Sequence, residues 1–287
     1  KFSINKMLNL ESIKQRLKRE QHLSFLEFNY SIFQAYDFMV LNEIYKCMIQ
    51  FGGSDQWGNI LTGNELIRRI DGGESFALTT PLITKSDGGK FGKTEEGNVW
   101  LDETKTSPYK FYQFWINVSD EDAKIFIKIF TQKSKEEIDI LISDHNKEPH
   151  LRILQNVLAE EITEVVHNKV KLNIAKSTSN VLFGKFKKDD FEKLEENVME
   201  SLSTAVPCVK INKEDLSRDF KTLLTETTNY EIFKSKSELI RLIKNNGLSI
   251  NKEKISDDNY KLSDNLKFNK YILLQKGKKN YTFIIVE

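Results

Sequence analysis

Three groups of residues have side chains suited to holding a small polar ligand and a phosphate. Tyr30, Gln34 and Asp37 stand at i, i+4 and i+7. On a helix rising about 1.5 Å per residue they line one face over about 10 Å. Phe28, Phe33, Tyr36, Phe38 and Met39 surround them. Such a stripe either faces water or lines a pocket that needs hydrogen-bond partners. A carboxylate among aromatics accepts well from a phenolic or ammonium donor, and burying it unused is costly.

The second group is Gly52-Gly-Ser-Asp-Gln-Trp-Gly-Asn59. Paired glycines at a strand end let backbone amides approach a ligand, while Asp55 offers an acceptor suited to a ribose hydroxyl and Gln56 an amide. The same residues also fit a plain strand-to-helix turn with Asp55 as its cap. The third is the glycine-rich Lys85-Ser-Asp-Gly-Gly-Lys-Phe-Gly-Lys-Thr94, with Lys90 and Lys93 three apart. Mobile lysines can meet charge that builds on a triphosphate only as pyrophosphate leaves, although a Gly/Lys turn also serves as a soluble hairpin tip. Gly-x-x-x-x-Gly-Lys-Ser/Thr is absent, which disfavours a P-loop nucleotidase.

The elements that position these groups follow from pattern. Ser24-Phe-Leu-Glu27 is a capping box opening a helix over 25–45. Cys47–Phe51 predicts a strand, Gln56–Ile70 a helix and Ala77–Thr84 a second strand, so 47–90 reads as a right-handed β-α-β unit with parallel neighbours. Both 53–56 and 85–94 then follow carboxyl ends of strands, the edge where open α/β sheets bind ligands. From Ser107-Pro108 to about Phe183 the pattern is helical, with starts at Ser119 and Ser134 and a break at Pro149. A helix near 237–245, a strand at Leu248–Asn251 and a hairpin around 276–280 end the chain.

Composition narrows the class. The 287 residues allow two or three domains. Net charge is only +1 although 30% of residues are charged, so no global field points to DNA or a membrane. The charge is uneven: 233–287 holds twelve Lys or Arg against six Asp or Glu, a net +6, leaving −5 on the rest. Cys47 and Cys208 stand alone and the four histidines lack zinc-ligand spacing, so neither a disulfide nor a bound metal is expected. No apolar run approaches the roughly 18 residues of a membrane span, and a cytoplasmic protein is expected. Lys1-Phe-Ser-Ile-Asn-Lys6 has no initiator methionine and enters helix-like sequence directly, so a fragment or processed product is expected.

Taken in order, Phe28–Asp37, Gly52–Asn59, Lys90-Phe-Gly-Lys-Thr94 and Thr106–Asn117 closely resemble the bacterial tyrosyl-tRNA synthetases, a class I family. Lys90–Thr94 looks like its Lys-Met-Ser-Lys-Ser signature, and Lys236–Ile255 is similar to its closing alpha-L (ribosomal protein S-four-like) RNA-binding domain. The resemblance implies an α/β fold: the C-terminal half of a Rossmann-like parallel-sheet catalytic domain over 1–84, a lysine-signature loop and linker over 85–107, a helical domain over 108–184, a connector over 185–232, and the small α+β RNA-binding domain over 233–287.

By the same resemblance, Asp37 accepts from the tyrosine phenol, Tyr30 and Gln34 hold the α-amino group, and Gln56 lies near the carboxyl group. Gly53 and Asp55 meet the ATP ribose, while Lys90, Lys93 and Thr94 meet the pyrophosphate. ATP, with Mg2+, and tyrosine would give tyrosyl-adenylate, then tyrosyl-tRNA(Tyr), in a homodimer. Lys236, Arg241, Lys278 and Lys279 are the candidate RNA contacts, and neutralising the last two should weaken the salt dependence of tRNA binding. The family's His-Ile-Gly-His-type motif has no counterpart in residues 1–24, so half an active site is expected. The alternatives are a tryptophanyl-tRNA synthetase and a non-catalytic RNA-binding protein derived from a synthetase.

Overall fold

The computed structural model describes residues 2–86, 88–89, 91–94, 97–257, 260–278 and 280–287, without the side chains of Asp71, Lys93 and Thr94. The chain divides into two compact units, 1–91 and 92–287.

The first unit runs α1 (Ile4–Leu8), α2 (Glu11–Lys18), α3 (Phe25–Tyr45), β1 (Ile49–Gly53), α4 (Trp57–Asp71) and β2 (Phe76–Thr80). The capping box forms as expected: Ser24 Oγ accepts from the Glu27 amide at 3.2 Å, and the Glu27 carboxylate accepts from the Ser24 amide at 3.0 Å. These bonds hold the Glu27 carboxyl below its usual range. α3 buries Ser31, Ala35 and Phe38. That face meets α4 at Gly63, where a Cβ would stand 2.9 Å from Phe38 Cδ1 and 3.5 Å from Ala35 Cα. Only a residue without a side chain allows so close a helix seam.

β1 and β2 pair in parallel from Ile49 opposite Phe76 to Gly53 opposite Thr80, with α4 as the crossover. β1 begins two residues later than expected because Cys47 serves the end of α3: its amide donates to Leu41 O, and its carbonyl accepts from Asn42 Nδ2. β2 stops before Pro81, which has no N–H for a ladder. Gly52 faces α4, since a Cβ there would meet Ile60 at 3.3 Å. By strand alternation Ile49 and Phe51, with their partners Phe76 and Leu78, occupy the other face. They are 57%, 62%, 48% and 55% exposed.

The second unit opens with the short antiparallel pair β3 (Lys93–Thr94) and β4 (Gly97–Asn98). Four helices follow: α5 (Pro108–Ile116), α6 (Asp120–Phe130), α7 (Lys135–Lys147) and α8 (Ile153–Phe183), the first three capped by Ser107, Ser119 and Ser134. Phe111, Trp115, Phe126 and Phe130 make edge-to-face contacts at centroid distances of 5.1–6.4 Å, each within the favourable range for aromatic pairs. α8 is broken at Asn168 (φ 76°), whose Oδ1 caps the second half by accepting from the Val170 and Lys171 amides.

After α9 (Lys188–Glu192) and α10 (Glu196–Ala205) come β5 (Cys208–Ile211), α11 (Phe220–Thr222), α12 (Lys236–Lys244), β6 (Leu248–Ile250), β7 (Glu253–Lys254), β8 (Tyr271–Lys276) and β9 (Asn280–Val286). The strands form one sheet in the order β5-β9-β8-β6-β7, antiparallel except for β5 beside β9. The stretch 185–232, expected as a connector, is largely built into this region. β5 is an edge strand of the sheet, and Val209, Ile211, Phe220, Leu223, Leu224 and Ile232 share one core with Leu239, Leu248, Ile272 and Ile284.

Candidate active site

α3 carries Tyr30, Gln34 and Asp37 on one flank, about a quarter turn from the seam with α4. Each precedes a buried residue of that seam by one position, and helical neighbours are about 100° apart. Tyr30 and Asp37 are exposed and Gln34 is half-buried. Among the described residues the side chains of these three make no hydrogen bond or ion pair. The helix thus offers a phenol, an amide and a carboxylate in line, all with free bonding capacity.

At the end of β1 the chain turns through the 3-10 segment Ser54–Gln56 into α4. Gln56 Nε2 donates to Asp55 Oδ2 at 2.8 Å, and Gln56 Oε1 accepts from Asn59 Nδ2 at 3.2 Å. Asn59 therefore orients Gln56, a positioning role that its spacing at i+3 could have signalled. Asp55 keeps acceptor capacity for an outside donor. Gly53 leaves room at the strand end: a Cβ would come within 2.7 Å of Asp55 Oδ1 and 2.8 Å of Leu82 Cδ2, so a side chain there would shift the Asp55 carboxylate and the tip of Leu82. These residues and the α3 stripe lie in the same unit, tied through α4.

The lysine signature is only partly described. Lys90 lies outside the described residues, as do the side chains of Lys93 and Thr94, whose backbone forms β3. Beyond it, the Trp100 amide donates to the buried Thr106 Oγ1 at 2.9 Å, and the Lys105 ammonium lies 4.5 Å from the Trp100 ring centroid. This anchors the segment after the hairpin.

Among the candidate RNA contacts, Lys236 opens α12 and pairs with Glu226 at 2.8 Å, a bond that raises its pKa. Arg241 is exposed in the last turn of the same helix. Lys278 is exposed in the β8–β9 turn, and Lys279 lies outside the described residues. Among the described residues there is no group of three or more His, Cys, Asp or Glu able to hold a metal ion, and no helix long and apolar enough to cross a membrane.

Comparison with known proteins places the chain in a family. Residues 1–184 match the family described as "tRNA synthetases class I (W and Y)", and residues 198–284 match "Tyrosine--tRNA ligase SYY-like C-terminal domain". Tyrosine--tRNA ligases of Bacteroides fragilis and Flavobacterium johnsoniae are 50% identical to the chain, and that of Porphyromonas gingivalis is 49% identical. Each alignment covers 100% of this chain and 67% of the relative, so the chain spans about two thirds of their length. C-terminally truncated mitochondrial tyrosyl-tRNA synthetases of Coccidioides posadasii and Aspergillus nidulans superpose with TM-scores of 0.51 and 0.53 at 33% and 30% identity. These superpositions cover 61% and 63% of this chain, and 51% and 52% of those structures. With a family model spanning most of its residues and relatives half identical along its whole length, the chain belongs to the class I tyrosine--tRNA ligase family.

Proposed function

We propose that this chain supplies the tyrosine-binding helix, the ribose-binding turn and the lysine loop of an enzyme that joins tyrosine to tRNA(Tyr). The tyrosine carboxylate attacks the α-phosphorus of ATP in line, a P–O bond forms as the bond to pyrophosphate breaks, and tyrosyl-adenylate results. The terminal adenosine hydroxyl of tRNA then takes the tyrosyl group and AMP leaves. Neither step needs a nucleophile from the protein, so catalysis rests on positioning and on countering charge.

Asp37 accepts the phenolic hydrogen bond, Tyr30 and Gln34 hold the ammonium, and Gln56 orients the carboxylate. Gly53 gives the ATP ribose room beside Asp55, while Lys90, Lys93 and Thr94 neutralise the leaving pyrophosphate. ATP enters as its Mg2+ complex, the ion belonging to the substrate. The basic C-terminal region meets the tRNA, and the enzyme works as a cytoplasmic homodimer.

The observation that carries this reading is the unpartnered stripe Tyr30, Gln34, Asp37 on a helix whose neighbouring face is fully used in packing. A carboxylate there rejects phenylalanine because it is left unpaired when the hydroxyl is missing. In the full-length protein, Asp37→Ala should lower kcat/KM for tyrosine in ATP–pyrophosphate exchange by about 100-fold, since a hydrogen bond to a charged group contributes about 1.5–3 kcal/mol. The small activity with phenylalanine should stay nearly unchanged. Equal losses with both amino acids would remove Asp37 from the phenol.

A further inference from the structure

The turn that leaves β1 contains a short relay whose direction follows from its chemistry. An ionised carboxylate only accepts hydrogen bonds, so Gln56 must present its NH2 end to Asp55 Oδ2, 2.8 Å away. That choice leaves Gln56 Oε1 for Asn59, whose Nδ2 donates to it at 3.2 Å. The order is therefore Asn59 to Gln56 to Asp55, each donor meeting an acceptor. The reverse orientation would set Gln56 Oε1 against a carboxylate and Gln56 Nε2 against an amide donor.

Packing fixes the rest of the Gln56 side chain. Gly52 leaves room for its stem, since a Cβ there would stand 3.2 Å from Gln56 Cβ and 3.4 Å from its Cγ. Gln56 occupies the N-cap position of α4 yet makes no side-chain bond to the helix amides, although capping is the usual task of a polar residue there. Asn59 lies three residues on, so its side chain stands over the same flank. Gln56 and Asn59 are half-buried, whereas Asp55 is exposed. Gln56 Nε2 gives no second bond among the described residues, so one of its two hydrogens is uncommitted.

We propose that Asn59 is a positioning residue for formation of tyrosyl-adenylate: by holding Gln56 Oε1, it keeps the uncommitted N–H of Gln56 turned toward the tyrosine carboxylate during attack on the α-phosphorus. This rests on the role proposed above for Gln56. The carboxylate and the phosphoryl oxygens offer only acceptors, so an amide turned over would face them with its own oxygen and repel them. Asn59 itself touches no substrate. Its removal leaves Oε1 without a donor and frees the amide to rotate, and a misplaced group at the reacting centre costs rate more than binding. The tyrosine KM rests on the phenol and ammonium contacts of α3, which Asn59 does not reach.

The test is a double-mutant cycle in the full-length protein, read by tyrosine-dependent ATP–pyrophosphate exchange. Asn59→Leu keeps nearly the same shape without the donor, and leucine is the better helix former, so Tm should hold or rise. Its kcat should fall about tenfold while the tyrosine KM stays within about twofold. Asn59→His, whose ring N–H can serve the same oxygen, should recover most of that loss. Gln56→Ala should lower kcat about 100-fold, the scale of one lost transition-state donor. Adding Asn59→Leu to it should cost no more than about twofold, because the two residues act as one. An undiminished kcat in Asn59→Leu beside a damaged Gln56→Ala overturns the proposal, and so does a tenfold loss repeated in the Gln56→Ala background; either result leaves the reading of Gln56 in place. A harmless Gln56→Ala removes that reading and the proposal together.

Discussion

The chain contains two sheets built to different degrees of closure. The C-terminal sheet buries Leu248, Ile250, Ile272, Leu274 and Ile284 at 0% exposure in one continuous core with α12. The β1–β2 pair is covered by α4 on one face and leaves Ile49, Phe51, Phe76 and Leu78 about half exposed on the other. Two-stranded parallel sheets rarely stand alone, and parallel strands are normally covered on both faces. Burying such half-exposed side chains would yield about 1 kcal/mol each. Within its own unit the first sheet is covered on one face, whereas the second lies in a continuous core.

The harshest test of that contrast is to separate the regions. Residues 206–287 alone should unfold in one cooperative thermal transition. Residues 1–91 alone should bind a hydrophobic dye and show none, and a sharp transition there would break the comparison. The catalytic counterpart is that 1–287 by itself should show no tyrosine-dependent ATP–pyrophosphate exchange; appreciable exchange would mean the exposed face is no sign of an incomplete site.

A finer test truncates one leucine in each sheet. Leu274→Ala, fully buried, should cost about 2–5 kcal/mol in denaturant titration. Leu78→Ala, 55% exposed, should cost less than about 1 kcal/mol. Similar costs would show that both sheets are equally closed.

The smallest expected effect concerns pH. His167 is buried beside Phe111, with ring centroids 4.9 Å apart. Desolvation lowers its pKa, against a raising effect from Glu103 and with a further lowering by Lys171. The unfolded chain therefore takes its proton first, near the ordinary value of about 6.5. Stability of the second unit that is present above that pH should fall as the pH drops through 6.5 toward the lowered folded value. His167→Gln should flatten this slope; an unchanged slope would assign it to other groups.

Much of this architecture could be read from local chemistry. The helix 25–45 follows from a capping box, the β-α-β unit from glycines bounding two apolar runs, and the terminal hairpin from its turn residues. β5 could not be read that way: Cys208–Ile211 is four residues long, and its partner β9 lies some seventy residues on. Nor could the break at Asn168, where neither Pro nor Gly interrupts a helical pattern. For the site, the spacing of Tyr30, Gln34 and Asp37 indicated a common flank, but only the packing of Ser31, Ala35 and Phe38 against α4 shows that this flank is left free.

The contact at Gly63 has a practical consequence for redesign. With α3 and α4 in backbone-to-ring contact there, the two helices cannot slide or tilt to make room for a bulkier amino acid. On the proposed role of Tyr30, Gln34 and Asp37, recoding this scaffold for a non-natural substrate would proceed by trimming those side chains, while any residue larger than glycine at 63 would press on Phe38 across the seam.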